Sequence, residues 1–199
     1  MHEASVHEQQ IIDELSAIYE GRAHGQYGLT LINQRAHAVQ SGFHARAQGL
    51  PSSQIVAALL HDIGHMIHDL GEHPAANGVD DCHESLGADW LTTRFGPAVT
   101  EPIRLHVAAK RYLCTVESDY RSRLSNDSIE SLALQGGDMS PGEIAAFEAE
   151  AWWQAAVALR RIDELAKDPH GPMPAFSEFH PDILKTLREQ QYSDVGGVA

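Results

Sequence analysis

Apolar residues recur along this chain at three- and four-residue intervals, with almost no alternating strand pattern, so it reads as successive helices. A first helix is expected over about residues 5–20, around VHEQQIIDELSAIYE, followed by a loop holding Gly21, Gly25 and Gly28. A second is expected over about 30–47, ended by Gly49-Leu50-Pro51. Ser52 or Ser53 can cap a third, running to about His65. The stretch 69–80, with Gly71, Pro74, Asn77 and Gly78, reads as a long surface loop. Helices then follow at about 81–95, 97–113 and 124–135, the last stopped by Gly136-Gly137. Ser140-Pro141-Gly142-Glu143 has the form of a capping box with proline in the first turn. It opens a long helix, or a kinked pair, to about Lys167; a last helix covers about 181–190, and the tail 195–199 is expected to be loose. Eight or so helices without strands predict an all-α fold, an irregular helical bundle.

The length of 199 residues suits one domain over 1–199 with a sizeable core. Hydrophobic residues at 43% and charged residues at 21% are the ordinary globular balance. The net charge of −14 argues against nucleic acid, whose binding needs clustered Lys and Arg, but allows a small anion where a few cations converge. No apolar run approaches membrane-spanning length, and the N-terminus has no basic-then-apolar export pattern. The two cysteines, Cys82 and Cys114, offer no disulfide framework, so a cytoplasmic location is expected. The number that changes the picture is thirteen histidines, which invites a search for metal ligands.

The third helix reads IVAALLHDIGHMIHD, with Ile55, Ala58, Leu59 and Ile63 marking it for burial beside His61, Asp62 and His65. Burying imidazole and carboxylate without partners costs about 2–7 kcal/mol or more. A metal ion would satisfy both. Adjacent helical residues point about 100° apart, so Asp62 splays from His61 and can reach a second ion, while His65 follows His61 by one turn. The bland alternative is a hydrogen-bonded polar pair plus a surface histidine. His37 in NQRAHAVQSG, His83 opening CHESLGADWL, His106 in IRLHVAAKRYL and Asp163 in ALRRIDELAK are further candidates from separate elements. Each has a plain reading too: His37 and His106 as core histidines, His83 as an exposed first-turn residue, Asp163 as an i,i+4 partner of Lys167. Spacing alone does not bring them together.

The pattern His37, His61-Asp62, His83, His106 and Asp163, with the phrases LLHDIGH, CHESLGADWL, HVAAKRYL and LALQGGDMSPGE, resembles the HD-domain mixed-valent diiron oxygenases that cleave carbon–phosphorus bonds in hydroxyphosphonates. These are distant cousins of myo-inositol oxygenase, and the resemblance covers about residues 20–170. It implies two iron ions, an Fe(II)/Fe(III) pair, with O2 as co-substrate. His37, His61, His83, His106 and Asp163 would be terminal ligands and Asp62 the bridge. One ion would be shared by His37, His61, Asp62 and Asp163, and the other by His83, His106 and Asp62. The implied reaction removes the C1 hydrogen, inserts oxygen at C1 and releases phosphate, leaving a carboxylate. Lys110, one turn beyond His106, joins an anion clamp to a metal ligand. The same resemblance adds His65, Ser128, Ser131 and Arg160 as substrate contacts, each otherwise read as capping or surface polarity.

One departure bears on the substrate. Relatives that cleave aminohydroxyethylphosphonate carry a tyrosine and, three residues later, a glutamate that accepts hydrogen bonds from the primary ammonium. Here the tyrosine is kept as Tyr27, but Thr30 stands in the glutamate's place, where it can also be a helix N-cap before Leu31. With no carboxylate waiting for an N–H donor, the expected substrate is (R)-1-hydroxy-2-(trimethylammonio)ethylphosphonate, giving glycine betaine and phosphate. A trimethylammonium group is held by aromatic faces, of which Tyr27 offers one. The alternatives are the same chemistry on (R)-2-amino-1-hydroxyethylphosphonate giving glycine, hydrolysis of a phosphate ester by the same ligands with two divalent ions, and a non-catalytic metal-binding module. An upstream hydroxylase is expected to supply the C1 hydroxyl.

Overall fold

The computed structural model describes residues 4–26, 29, 31–71 and 74–196, with side chains described for all of these except 76 and 191–196. Tyr27 and Thr30, and the substrate reading that rests on them, lie outside the described residues. The described residues form ten α-helices and no strand: α1 Val6–Glu20, α2 Gln34–Ala47, α3 Ser52–Leu60, α4 Gly64–Ile67, α5 His83–Leu91, α6 Pro97–Val116, α7 Asn126–Leu134, α8 Pro141–Glu148, α9 Trp153–Leu165 and α10 His180–Gly196. The all-α bundle expected from the periodicity is present.

Helix α3 is the axis of the fold. Its Ile55, Val56, Ala57, Ala58, Leu59 and Leu60 are all buried, and it packs against α2, α6, α9 and α10. A helix apolar on every side has to be enclosed, because each buried Leu or Ile is worth about 1.5–3 kcal/mol. One core cluster runs through it, joining Ile11, Leu15 and Tyr19 of α1 to Val39 of α2, Leu91 of α5, Ile103 of α6, Leu159 of α9 and Ile183 of α10. The Tyr19 hydroxyl donates to the Leu59 carbonyl at 3.0 Å, which fastens α1 to the same axis. A smaller cluster of Leu113, Cys114, Tyr120, Leu124 and Leu132 seats α7 over the C-terminal half of α6.

Several boundaries differ from those the periodicity predicts. The second helix starts at Gln34, not near 30, because the Asn33 side chain accepts from Ala36 N at 2.8 Å and caps it there. The third helix stops at Leu60 instead of continuing to His65. Beyond it, Ile63 N bonds Leu60 O, His65 N bonds Asp62 O and Met66 N bonds Ile63 O, each spanning three residues. This tightened turn ends the regular ladder at the His61-Asp62 pair. The long segment opened by the Ser140/Glu143 capping box is the kinked pair α8 and α9, and α10 extends to Gly196.

Two close approaches set where α5 lies. A Cβ on Gly64 would stand 2.0 Å from the His83 carbonyl oxygen, and one on Gly87 would stand 3.1 Å from Gly64 N. The first turn of α5 therefore rests directly on the backbone of α4, and only glycine at 64 permits it. Between them, Cys82 is the one non-glycine residue with positive φ among the described residues, at 49°.

Candidate active site

Four histidines from four helices or helix ends meet at one carboxylate. His37 enters from the first turn of α2, His61 from the end of α3, His83 from the start of α5 and His106 from the middle of α6; all four are buried. The Nε2 atoms of His37 and His61 are 3.2 Å apart, as are those of His83 and His106. Asp62 lies between the two pairs. Its Oδ2 is 3.5 Å from His37 Nε2, and its Oδ1 is 3.3, 3.6 and 3.8 Å from Nε2 of His61, His83 and His106. From α9, Asp163 Oδ1 comes to 3.3 Å from His37 Nε2 and 3.9 Å from His61 Nε2.

The other ring nitrogen decides what these atoms can do. His37 Nδ1 is 2.9 Å from the Ala166 carbonyl, His61 Nδ1 is 2.9 Å from the Ala58 carbonyl and His106 Nδ1 is 2.7 Å from the Ile103 carbonyl. His83 Nδ1 is 2.9 Å from Asp81 Oδ1. A carbonyl oxygen only accepts, and so does an ionised carboxylate, so each Nδ1 carries an N–H and each ring, when neutral, presents an Nε2 lone pair inward. Lone pairs facing each other at 3.2 Å do not bond one another. A cation between them satisfies both, and donors this far apart suit metal bonds of about 2.0–2.2 Å. The donor set fits a metal: His37, His61 and Asp163 cluster on one side of Asp62, and His83 and His106 pair on the other, each also grouping with Asp62.

Burial pushes His61 below its ordinary value, and burial with the charges of His83 and His61 pushes His106 far below. These are the neutral forms that ligation needs. Burial also opposes charge on His83, but the hydrogen bond to Asp81 and the charges of Asp62, Asp81 and Glu84 outweigh it and raise the ring to about 9; the Asp163 hydrogen bond and the charges of Asp163 and Asp62 likewise raise His37 against burial, so a metal must displace a proton from each of these two rings. Burial alone would raise Asp62; the surrounding histidines hold it well below the usual carboxylate range.

Beside the carboxylate opens a cavity of about 290 Å³. His83, His106, Asp62 and Asp163 face it, and Lys110, Arg160, Lys167, Ser128 and Ser131 form its cationic wall. Lys110 is buried, one turn after His106 on α6, and donates to Ser131 Oγ at 2.9 Å. Arg160 donates to Ser128 Oγ at 3.1 Å and also pairs with Asp163 and Glu164. Burial, with the neighbouring charges of Arg160 and Lys167, lowers the Lys110 ammonium to about 7. Leu29, Val79, Val107 and Leu134 give the cavity an apolar side, and no Phe, Tyr or Trp is among its described lining residues.

The sequence-expected residues His37, His61, Asp62, His83, His106, Asp163, His65, Lys110, Ser128, Ser131 and Arg160 thus gather at one site. The ion pair expected between Asp163 and Lys167 also forms, at 3.0 Å. His83 is buried, not an exposed first-turn residue. His65 does not continue a helical face from His61, because the helix breaks between them; it stacks on the His83 ring with centroids 3.9 Å apart. Three participants were missed. Asp81 bonds His65, His68 and His83; Lys167 reaches Ser128 Oγ at 3.0 Å; Gln34 Nε2 donates to Asp62 Oδ2 at 3.3 Å. The doublet Asp80-Asp81 just before His83, and Lys167 one turn after Asp163, were the available signals.

No family model matches the chain. It is 46% identical over 159 residues to a hydroxymethylphosphonate dioxygenase of Gimesia maris, covering 78% of each chain. It is 36% identical over 177 residues to the [1-hydroxy-2-(trimethylamino)ethyl]phosphonate dioxygenase (glycine-betaine-forming) of Leisingera caerulea, covering 89% of this chain and 90% of that one. This chain belongs to the phosphonate dioxygenases. A third relative, an uncharacterised protein of Acanthamoeba polyphaga mimivirus, is 31% identical over 169 residues, covering 80% of this chain and 75% of its own. In this dioxygenase the cationic wall and part of the histidine centre line one cavity. No described helix of this phosphonate dioxygenase is long and apolar enough to cross a membrane.

Proposed function

We propose that this protein is a two-iron dioxygenase that cleaves the C–P bond of hydroxymethylphosphonate with O2. The observation that carries the reading is the convergence of four histidine Nε2 atoms on Asp62 beside the cavity that Lys110, Arg160, Ser128 and Ser131 line. His37, His61, Asp62 and Asp163 would hold one ion and His83, His106 and Asp62 the other, with Asp62 bridging. The metal pair would supply oxygen activation and oxidation at C1.

The chain's own residues do the rest. Lys110 and Arg160, with the two serine hydroxyls, bind the phosphonate oxygens as charge-assisted partners. This fixes the C–P bond against the histidine centre and holds the departing phosphate in the same cradle. Leu29, Val79, Val107 and Leu134 keep water from the apolar side of C1. His65, stacked on His83, borders the phosphonate from the α4 side. The balanced reaction takes hydroxymethylphosphonate and O2 to formate, phosphate and one proton.

The choice of hydroxymethylphosphonate rests on the 46% identity to the Gimesia maris enzyme. A second reading, (R)-1-hydroxy-2-(trimethylammonio)ethylphosphonate giving glycine betaine, is favoured by the Leisingera caerulea relative and by Asp80, Asp127 and Glu130 along the cavity wall. It also fits Thr30, where no carboxylate waits for a primary ammonium, although hydroxymethylphosphonate needs none either. Oxygen uptake and phosphate release, followed together on both substrates, test the choice. Equal uptake and release with a higher kcat/KM on hydroxymethylphosphonate is expected. Preference for the trimethylammonio compound would replace the first reading with the second. Phosphate release without oxygen uptake would refute both and point to hydrolysis.

A further inference from the structure

Asp81 gathers three histidines on one carboxylate. Its Oδ1 is 2.9 Å from His83 Nδ1, and its Oδ2 is 2.6 Å from His65 Nδ1 and 3.2 Å from His68 Nε2. Asp81 Oδ1 also accepts from the His83 backbone N–H at 3.4 Å, across the left-handed Cys82. That turn folds the Asp81 side chain back onto the residue two positions ahead. Asp81 is itself buried.

The four inward-facing histidines are not held alike. His37, His61 and His106 are oriented by backbone carbonyls. His83 alone is oriented by a side chain, and that side chain also holds His65, whose ring lies flat on His83 at an interplanar angle of 19°. We infer that Asp81 is a positioning residue: through His83 it sets one metal site of the pair, and through His65 it ties that site to the phosphonate-facing wall. This rests on the two-metal reading of the site. By accepting from Nδ1 of both rings, Asp81 leaves the His83 Nε2 lone pair for a metal and keeps the His65 ring parallel above it. A carboxylate serves three ring donors and one backbone N–H here; an amide offers one acceptor oxygen and would confront at least one histidine with an N–H, reversing its tautomer.

The test is metal binding, measured apart from turnover. Metal-free wild type, Asp81→Ala and Asp81→Asn are titrated with Mn(II), and free Mn(II) is read by its EPR signal. Melting of each metal-free protein is recorded alongside. Wild type is expected to take two ions. The variants should keep the affinity of one ion and weaken the other by about 10–100-fold, the usual effect of removing a partner that orients a ligand. Phosphonate KM measured at saturating iron should rise as well, because His65 is released with His83. Two ions bound as tightly as in wild type, or both sites weakened equally with a lower metal-free melting point, would overturn the inference. Fewer than two ions on wild type would instead sink the two-metal reading. If Asp81→Ala does not fold, the nearly isosteric Asp81→Asn carries the same comparison.

Discussion

Lys110 makes anion capture in this cavity dependent on pH. Its side chain is 3% exposed, its ammonium donates to Ser131 Oγ at 2.9 Å, and burial with the charges of Arg160 and Lys167 brings it to about 7. In the free enzyme it therefore loses its proton as pH rises through about 7, and the phosphonate binds the protonated form. Each further pH unit then costs about 1.4 kcal/mol of binding, or tenfold, so an assay at about pH 8.5 should show roughly thirtyfold weaker capture than one near pH 6. Lys110→Met removes both the charge and the dependence. Near pH 6 it forfeits a charge-assisted hydrogen bond worth about 1.5–3 kcal/mol, or about 10–150-fold in kcat/KM. Above about pH 8 the variant and wild type should draw together. The assay is kcat/KM for the phosphonate across this range, with product inhibition by inorganic phosphate measured in parallel. A Lys110→Met enzyme within threefold of wild type near pH 6, or one that keeps the same falling limb, would refute the reasoning.

Two more outcomes follow from the geometry. Gly64→Ala puts a methyl group 2.0 Å from the His83 carbonyl, so α5 must move off α4; overpacking of about 1–3 kcal/mol should lower melting by several degrees, and metal analysis should show one ion lost before the other. Stripping metal with a chelator should lower the melting temperature, because an ion that binds only the folded chain no longer joins the two histidine pairs around Asp62, and adding Fe(II) back should restore it; a chelator-insensitive melt would argue against a metal there.

Much of the site was legible in the chain because a metal centre needs particular residue types, and these stand out in apolar helices. His61-Asp62 inside IVAALLHDIG, and His106 among Leu105, Val107 and Ala108, are polar residues that burial makes expensive unless something pairs with them. The convergence itself was not legible, since His37 and Asp163 lie more than a hundred residues apart and meet only through the packing of α2 on α9. The break after Leu60 was hidden because apolar residues continue at Ile63 and Met66, so the period gave no sign of a tightened turn. Asp81 escaped notice for a different reason: its contact with His83 depends on a left-handed cysteine, which no propensity would suggest. Lys167 was read as the partner of Asp163 and is so, but the same ammonium also reaches the serine wall of the cavity.

The cavity's cations are sunk in a protein whose formal charge is −14, and Asp80, Asp127 and Glu130 stand along the approach. Lys110, Arg160 and Lys167 attract a phosphonate only at short range, while the whole molecule repels it at long range. Diffusional encounter with an anion is therefore slowed at low ionic strength. At about 0.1 M salt the Debye length falls to roughly 10 Å, which screens the distant acidic surface more than the enclosed contacts. The capture rate should consequently rise with moderate salt, opposite to the usual behaviour of an enzyme steered toward an anionic substrate. The effect should be larger for a doubly charged phosphonate than for a zwitterionic one. The surface thus acts as a kinetic filter on net charge before any contact is made in the cleft.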